Sequence, residues 1–169
     1  MLRYFCAILL SIIVTDAFSQ CEVKSRQGVD EVMYYYVDYV PFYYTAKKEL
    51  KGGAITDEQN YFLALKPKPF PPKPGGTKIK NDLYVLLSND STYVLEHFDT
   101  RYVERDTSLL FMYIIPEDYL PVFRKYEVNQ VRIMMGDEGE RVYTFKLHKD
   151  AVMQQLDCLI GSLQKKKDH

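Results

Sequence analysis

Apolar and polar positions alternate along much of the chain, and that alternation sets most of the predicted elements. In "RVYTFKL" (141–147), Tyr143, Phe145 and Leu147 fall on one face and Val142, Thr144 and Lys146 on the other. "VNQVRIMM" (128–135) puts Val131, Ile133 and Met135 on one side, and "GDEG" (136–139) turns the chain between these two strands. Residues 82–87 and 92–98 predict a second hairpin around "SNDS", where Asn89 and Asp90 are turn formers. Further strands are expected at 60–65, 101–104 and 108–115. Residues 20–30 read as a polar lead-in.

The densest aromatic stretch is "MYYYVDYVPFYYTAK" (33–47), within a predicted strand over 31–45. Taken as one strand, it points Tyr34, Tyr36, Phe42 and Tyr44 one way and Met33, Tyr35, Val37, Tyr39 and Tyr43 the other. Both faces are aromatic, so one lines a core and the other meets a second layer, the last helix or a partner. "KGG" at 51–53 is expected to break the strand.

The period changes twice. "PEDYLPVFRKYE" opens on Pro116, Glu117 and Asp118, residues suited to a helix first turn, and Pro121 keeps that helix short. From Lys149 to Gln164, Val152, Leu156, Leu159, Ile160 and Leu163 form one helical stripe, followed by a frayed tail "QKKKDH". Between 66 and 80, "KPKPFPPKPGGTKIK" has five prolines, two glycines, five lysines (Lys66, Lys68, Lys73, Lys78 and Lys80) and no acid, which predicts an exposed, partly polyproline-II loop. That loop either touches an anionic surface or shields neighbouring strand edges from aggregation. The expected fold class is α+β: a mainly antiparallel β-sheet, curved or sandwiched, with a short helix and a C-terminal helix packed on the sheet.

The first residues change where this fold is expected to work. Arg3 is followed by an apolar run from Tyr4 to Val14, and Ala17-Phe18-Ser19 offers small residues at a cleavage site. Residues 1–19 therefore read as a signal peptide cut before Gln20, and 20–169 as one β-rich α+β domain, periplasmic or secreted. No other run has the length of a membrane span. A lipid anchor on Cys21 is the alternative. It wants a small residue just before the cysteine, where Gln20 stands.

Cleavage removes Cys6 and leaves Cys21 and Cys158, an even count in an exported chain. Cys158 lies well around the helix from the apolar stripe, free to reach a strand or the N-terminus, so a Cys21–Cys158 disulfide is expected, with two unpaired thiols as the alternative. An apolar share of 47% is enough for a core, and a net charge of −1 weighs against nucleic-acid binding.

Across most of the mature length the layout resembles small exported proteins common in Bacteroidetes. The resemblance is carried by the Cys21 lead-in, "VDEV", "YFLAL", "DLYVLLSNDSTYVL", "YIIPEDYLPVF" running on to "VNQVRIMM", and the final strand and helix. These are structural patterns. The resemblance implies no activity, cofactor or catalytic residue.

Candidate chemistry is sparse. The chain has no G-x-S-x-G, H-E-x-x-H or C-x-x-C, and "PGGTKIK" lacks the Walker spacing, so neither a cofactor nor a metal site is predicted. His148 reads as a capping or surface residue. In "LEHFDTRYVERD", alternation puts His97, Asp99 and Arg101 on one strand face at steps of ~6.6 Å. A histidine with a carboxylate and an arginine can do acid–base work or hold an anion; it can equally be a solvated face with cross-strand charge pairs. Tyr35, Tyr39 and Tyr43 make the other candidate surface, since planar aromatics stack on sugars and peptides and are enriched at interfaces. The sequence thus points to a non-enzymatic exported binding or envelope structural module, whose partner is an envelope glycan, peptide or protein. The alternative is a small periplasmic enzyme or enzyme inhibitor using the His97/Asp99/Arg101 face.

Overall fold

The structure, a computed structural model, describes residues 21–28, 30–70, 81–103, 108–136 and 139–167. The predicted signal peptide, residues 71–80 of the proline–lysine loop and the centre of the "GDEG" turn lie outside the described residues. In chain order the strands are β1 (Lys24–Gln27), β2 (Met33–Tyr36), β3 (Val40–Tyr44), β4 (Glu49–Thr56), β5 (Tyr61–Lys68), β6 (Leu83–Leu87), β7 (Thr92–Leu95), β8 (His97–Val103), β9 (Ser108–Ile115), β10 (Val128–Met134) and β11 (Glu140–Thr144). A 3₁₀ turn at Glu117–Tyr119 leads into the short helix α1 (Leu120–Phe123), and α2 (Ala151–Lys167) closes the chain. The fold class is as expected: antiparallel β-sheet, a short irregular helix, and a C-terminal helix on the sheet.

Two sheets share the strands. The larger runs β1-β2-β4-β5-β9-β8, with β3 also on β4, and curls as a half-barrel; the smaller runs β11-β10-β6-β7. Hydrogen bonds join their margins. The Phe42 carbonyl accepts from the Lys146 and Leu147 N–H groups at 3.0 and 3.2 Å, and the Ile114 N–H reaches Glu96 O at 2.9 Å, where β7 passes into β8. Between the sheets lies the main core, with Phe42 stacked on Phe145 at 4.2 Å between ring centres.

The two sheets are patterned differently because they are covered differently. β5 and β9 are near-continuous apolar runs, since both their faces are buried. Leu63, Leu65, Phe111, Tyr113 and Ile115 face the main core, while Phe62, Ala64, Leu110 and Met112 join Tyr34 and Ile55 in a second cluster on the opposite face. The smaller sheet alternates: Leu83, Val85, Leu87, Val131, Ile133 and Tyr143 point in, and Tyr84, Arg132 and Val142 point out.

The tyrosine-rich stretch is two strands, not one. It breaks at 37–39, so that β2 pairs with β4 through Tyr35↔Thr56 and Tyr36↔Ile55, and β3 pairs with it through Val40↔Gly52 to Tyr44↔Glu49. Opposite Gly53 and Ala54 the flank of β4 is left without a strand. Gln155 of α2 fills that gap. Its Oε1 accepts the Ala54 N–H at 2.8 Å, and its Nε2 donates to Asp38 O at 3.0 Å. The buried carboxamide therefore stands in for a missing segment of β-ladder. "KGG" is accordingly no breaker. A Cβ on Gly53 would sit 2.7 Å from Gln155 Oε1, and one on Gly52 would collide with the Ala64 carbonyl oxygen, so both glycines serve close approach inside β4.

Other expectations are corrected as well. The polar lead-in pairs with β2 as β1, from Lys24↔Tyr36 to Gln27↔Met33. The proline–lysine loop begins later than expected, because Lys66, Pro67 and Lys68 belong to β5. Pro67 is tolerated there because β9 pairs with β5 only from Tyr61 to Leu65, which leaves the end of β5 partnered on one side. Leu147 is exposed, the strand having ended at Thr144.

In α2, Val152, Leu156, Leu159 and Leu163 are buried, as the stripe requires. Cys158, off that stripe, forms a disulfide with Cys21, with the Cα atoms 5.6 Å apart. The bond uses the sulfur that a lipid thioether would need, so the lipid-anchored alternative is incompatible with this pairing. No helix among the described residues is long and apolar enough to cross a membrane.

Two outcomes are expected in equilibrium urea unfolding. Gln155→Leu strands the Ala54 N–H and the Asp38 carbonyl and lowers stability by about 2–4 kcal/mol; unchanged stability would show that the gap needs no polar plug. Cys158→Ser, opening a link between residues 137 apart, lowers stability by about 2–5 kcal/mol. Reduction of the native chain raises its intact mass by about 2 Da.

Candidate functional site

The three candidate tyrosines do not share an open face. Tyr35 packs toward the main core, its hydroxyl accepts from Lys166 Nζ at 2.8 Å, and the same ammonium lies 4.8 Å from the ring centre. Tyr39 packs on the second cluster with Lys66 Nζ 5.1 Å from its ring. Tyr43 meets Tyr143 edge-on at 5.7 Å, with Lys146 Nζ at 5.8 Å. The break at 37–39 and a register shift between Pro41 and Tyr43 destroy the simple alternation. Each ring is instead roofed by a lysine, an arrangement that is favourable in itself. Hydrogen bonds from Lys166 to Glu58 and to Tyr35 hold its pKa above the usual lysine range.

His97 is likewise separated from Asp99 and Arg101. His97 pairs with Tyr113 and Asp99 with Met112, so β8 carries one extra residue at Phe98. His97 consequently lies on the main-core side, edge-on to Tyr113 at 6.0 Å, with Nε2 2.7 Å from Thr100 Oγ1. Phe98 turns the other way onto Phe62 at 4.7 Å, and Asp99 and Arg101 form an ion pair on that opposite side. The bulge lets Phe98 cover Phe62, and it removes the carboxylate and the guanidinium from the imidazole. The expected common face of His97, Asp99 and Arg101 does not exist. Among the described residues, no group of three or more His, Cys, Asp or Glu side chains is placed to hold a metal.

Among the described residues, the outer face of the smaller sheet is left uncovered. Register places Val94, Tyr84, Arg132 and Val142 in one row across its four strands: Tyr84 opposite Val94, Arg132 opposite Tyr84 and Val142. All are exposed, Tyr84 to 46%. Beside the row, Asn81, Asp82, Tyr84, Arg132, Met134 and Glu140 line a shallow depression of about 490 Å³. Asp82 spends one carboxylate oxygen on the His97 backbone N–H at 3.1 Å. Sequence reasoning missed this face. Its signal was present, since the tyrosine in "DLYVLL" and the arginine in "VNQVRIMM" both fall at outward positions of the apolar alternation, but nothing in the sequence pairs those two strands.

The second cluster carries a pH signature. Burial, with a hydrogen bond from the Tyr34 hydroxyl to Asp30 at 2.8 Å, pushes the Tyr34 pKa up to about 12. That bond in turn holds the Asp30 carboxyl below its ordinary range. Folding raises the phenol pKa, so its contribution to stability is intact below the unfolded value of 10.0 and is lost as pH rises through about 12. Ultraviolet titration of the folded protein is expected to show a late tyrosinate step near pH 12 that Tyr34→Phe removes; a titration identical in that variant would contradict the assignment.

No protein-family model, no curated protein and no solved structure matches the chain, so what can be said of its site rests on its own residues.

Proposed function

We propose that this protein is an exported, non-enzymatic binding module of the cell envelope or its surroundings, and that it works through the outer face of its smaller sheet. The observation that carries this reading is the exposed row Val94–Tyr84–Arg132–Val142, set on strands whose opposite sides are locked into the main core. A binding surface on such strands is held rigid, which lowers the entropy lost on association. Tyrosine and arginine at its centre are the side chains that dominate binding surfaces. What supports export is the leader-like pattern of residues 1–19 together with the Cys21–Cys158 disulfide, a bond that persists in oxidising compartments.

The full chain, expressed in a Gram-negative host, is expected to be recovered outside the cytoplasm with a mass that begins at Gln20 and with its disulfide formed. Retention in the cytoplasm with both thiols reduced would count against export. For the surface, the mature protein should co-sediment with purified envelope material, and Arg132→Glu should weaken that association about tenfold or more, a loss of about 1.4 kcal/mol. Co-sedimentation unaltered by Arg132→Glu would move the binding surface elsewhere.

A further inference from the structure

The depression on the smaller sheet has a chemistry that narrows its ligand. We infer that Asn81, Asp82, Tyr84, Arg132, Met134 and Glu140 form a subsite for a neutral carbohydrate, one or two pyranose rings in size; this deepens the binding reading above and rests on it.

Three observations converge. Its volume, about 490 Å³, lies within the range of small-molecule sites. Its lining mixes two kinds of group. Tyr84 and Met134 supply an apolar patch, and the negative face of a phenol ring attracts the weakly positive C–H groups on one side of a pyranose. Around that patch stand two carboxylates, a carboxamide and a guanidinium, so donors and acceptors are both available to sugar hydroxyls. Neither carboxylate is tied up by the guanidinium: among the described residues no ion pair joins Arg132 to Asp82 or Glu140.

Charge and topology exclude the main competitors. Two carboxylates against one arginine leave the lining with an excess negative charge, which disfavours phosphate, sulfate and uronate ligands. The arginine in turn opposes a simple cation. An extended peptide binds sheets chiefly by adding a strand at an edge. Tyr84 and Arg132 lie on β6 and β10, the two inner strands, whose backbone groups already serve neighbours on both sides. Recognition here is left to side chains.

The test is NMR titration of the mature, oxidised protein with glucose, galactose, mannose, N-acetylglucosamine and their disaccharides. At least one is expected to bind saturably and to shift the Met134 methyl and the Tyr84 and Arg132 signals. Tyr84→Ala should weaken that binding about tenfold, while Tyr84→Phe, which keeps the ring, retains most of it. Glu140→Gln serves as a second variant should Tyr84→Ala fold poorly, and should weaken binding by losing a charged acceptor. Saturable binding with shifts elsewhere, or binding indifferent to both Tyr84→Ala and Glu140→Gln, would overturn the subsite. No sugar bound, while envelope association still depends on Arg132, would overturn the carbohydrate and keep the binding module; loss of that association as well would remove both.

Discussion

The architecture turns on one unfilled length of β-ladder. Where the tyrosine-rich stretch breaks between β2 and β3, the backbone of β4 opposite it has no strand to bond, and a buried N–H left that way costs as much as a lost hydrogen bond. Gln155 supplies the partner, and in doing so it fixes where α2 sits. With the helix held there, Val152, Leu156 and Leu159 enter the main core and Cys158 comes within bonding reach of Cys21. Gly53 completes the arrangement by leaving room for the carboxamide. The helix, the disulfide and the two-part edge of the large sheet thus follow from one geometric need.

Among the described residues, the larger sheet is covered on both faces and the smaller sheet on one. The larger sheet has α2 and the main core on one side and its own second cluster on the other, where Phe62 lies against both Tyr34 and Phe98. The smaller sheet uses its inner face to close the core and has nothing across its outer face among the described residues. The exposed row through Tyr84 and Arg132, and the depression beside it, lie on that outer face. A rigid sheet holds the side chains it presents in a fixed geometry.

The aromatic surplus is mostly spent inside the fold. Phe42 stacks on Phe145, and Tyr93 meets both Tyr119 and Phe123 edge-on, tying α1 to the smaller sheet. At the rim, Lys166, Lys66 and Lys146 lie over Tyr35, Tyr39 and Tyr43, so the long lysine stems shield rings that would otherwise be open apolar patches. One bulged residue, Phe98, divides His97 from the charged pair that shares its strand.

Periodicity alone determined the class of fold, the "SNDS" hairpin, the inward faces of β10 and β11, the apolar stripe of α2 and the availability of Cys158. Each of these depends on side chains two to four residues apart in one element, and such spacing is local. The tertiary structure decided the rest. Whether Gly52 and Gly53 end a strand or admit a neighbour depends on Ala64 across the β4–β5 pair and on Gln155, which lies far along the chain. Whether His97 faces Asp99 depends on the pull of Phe62 on Phe98, and whether a tyrosine is exposed depends on which lysine lies over it. The candidate site belongs to this second kind. Tyr84 and Arg132 are each readable as outward residues, but their meeting across β6 and β10 is a matter of register, and register between distant segments is set by the core they enclose.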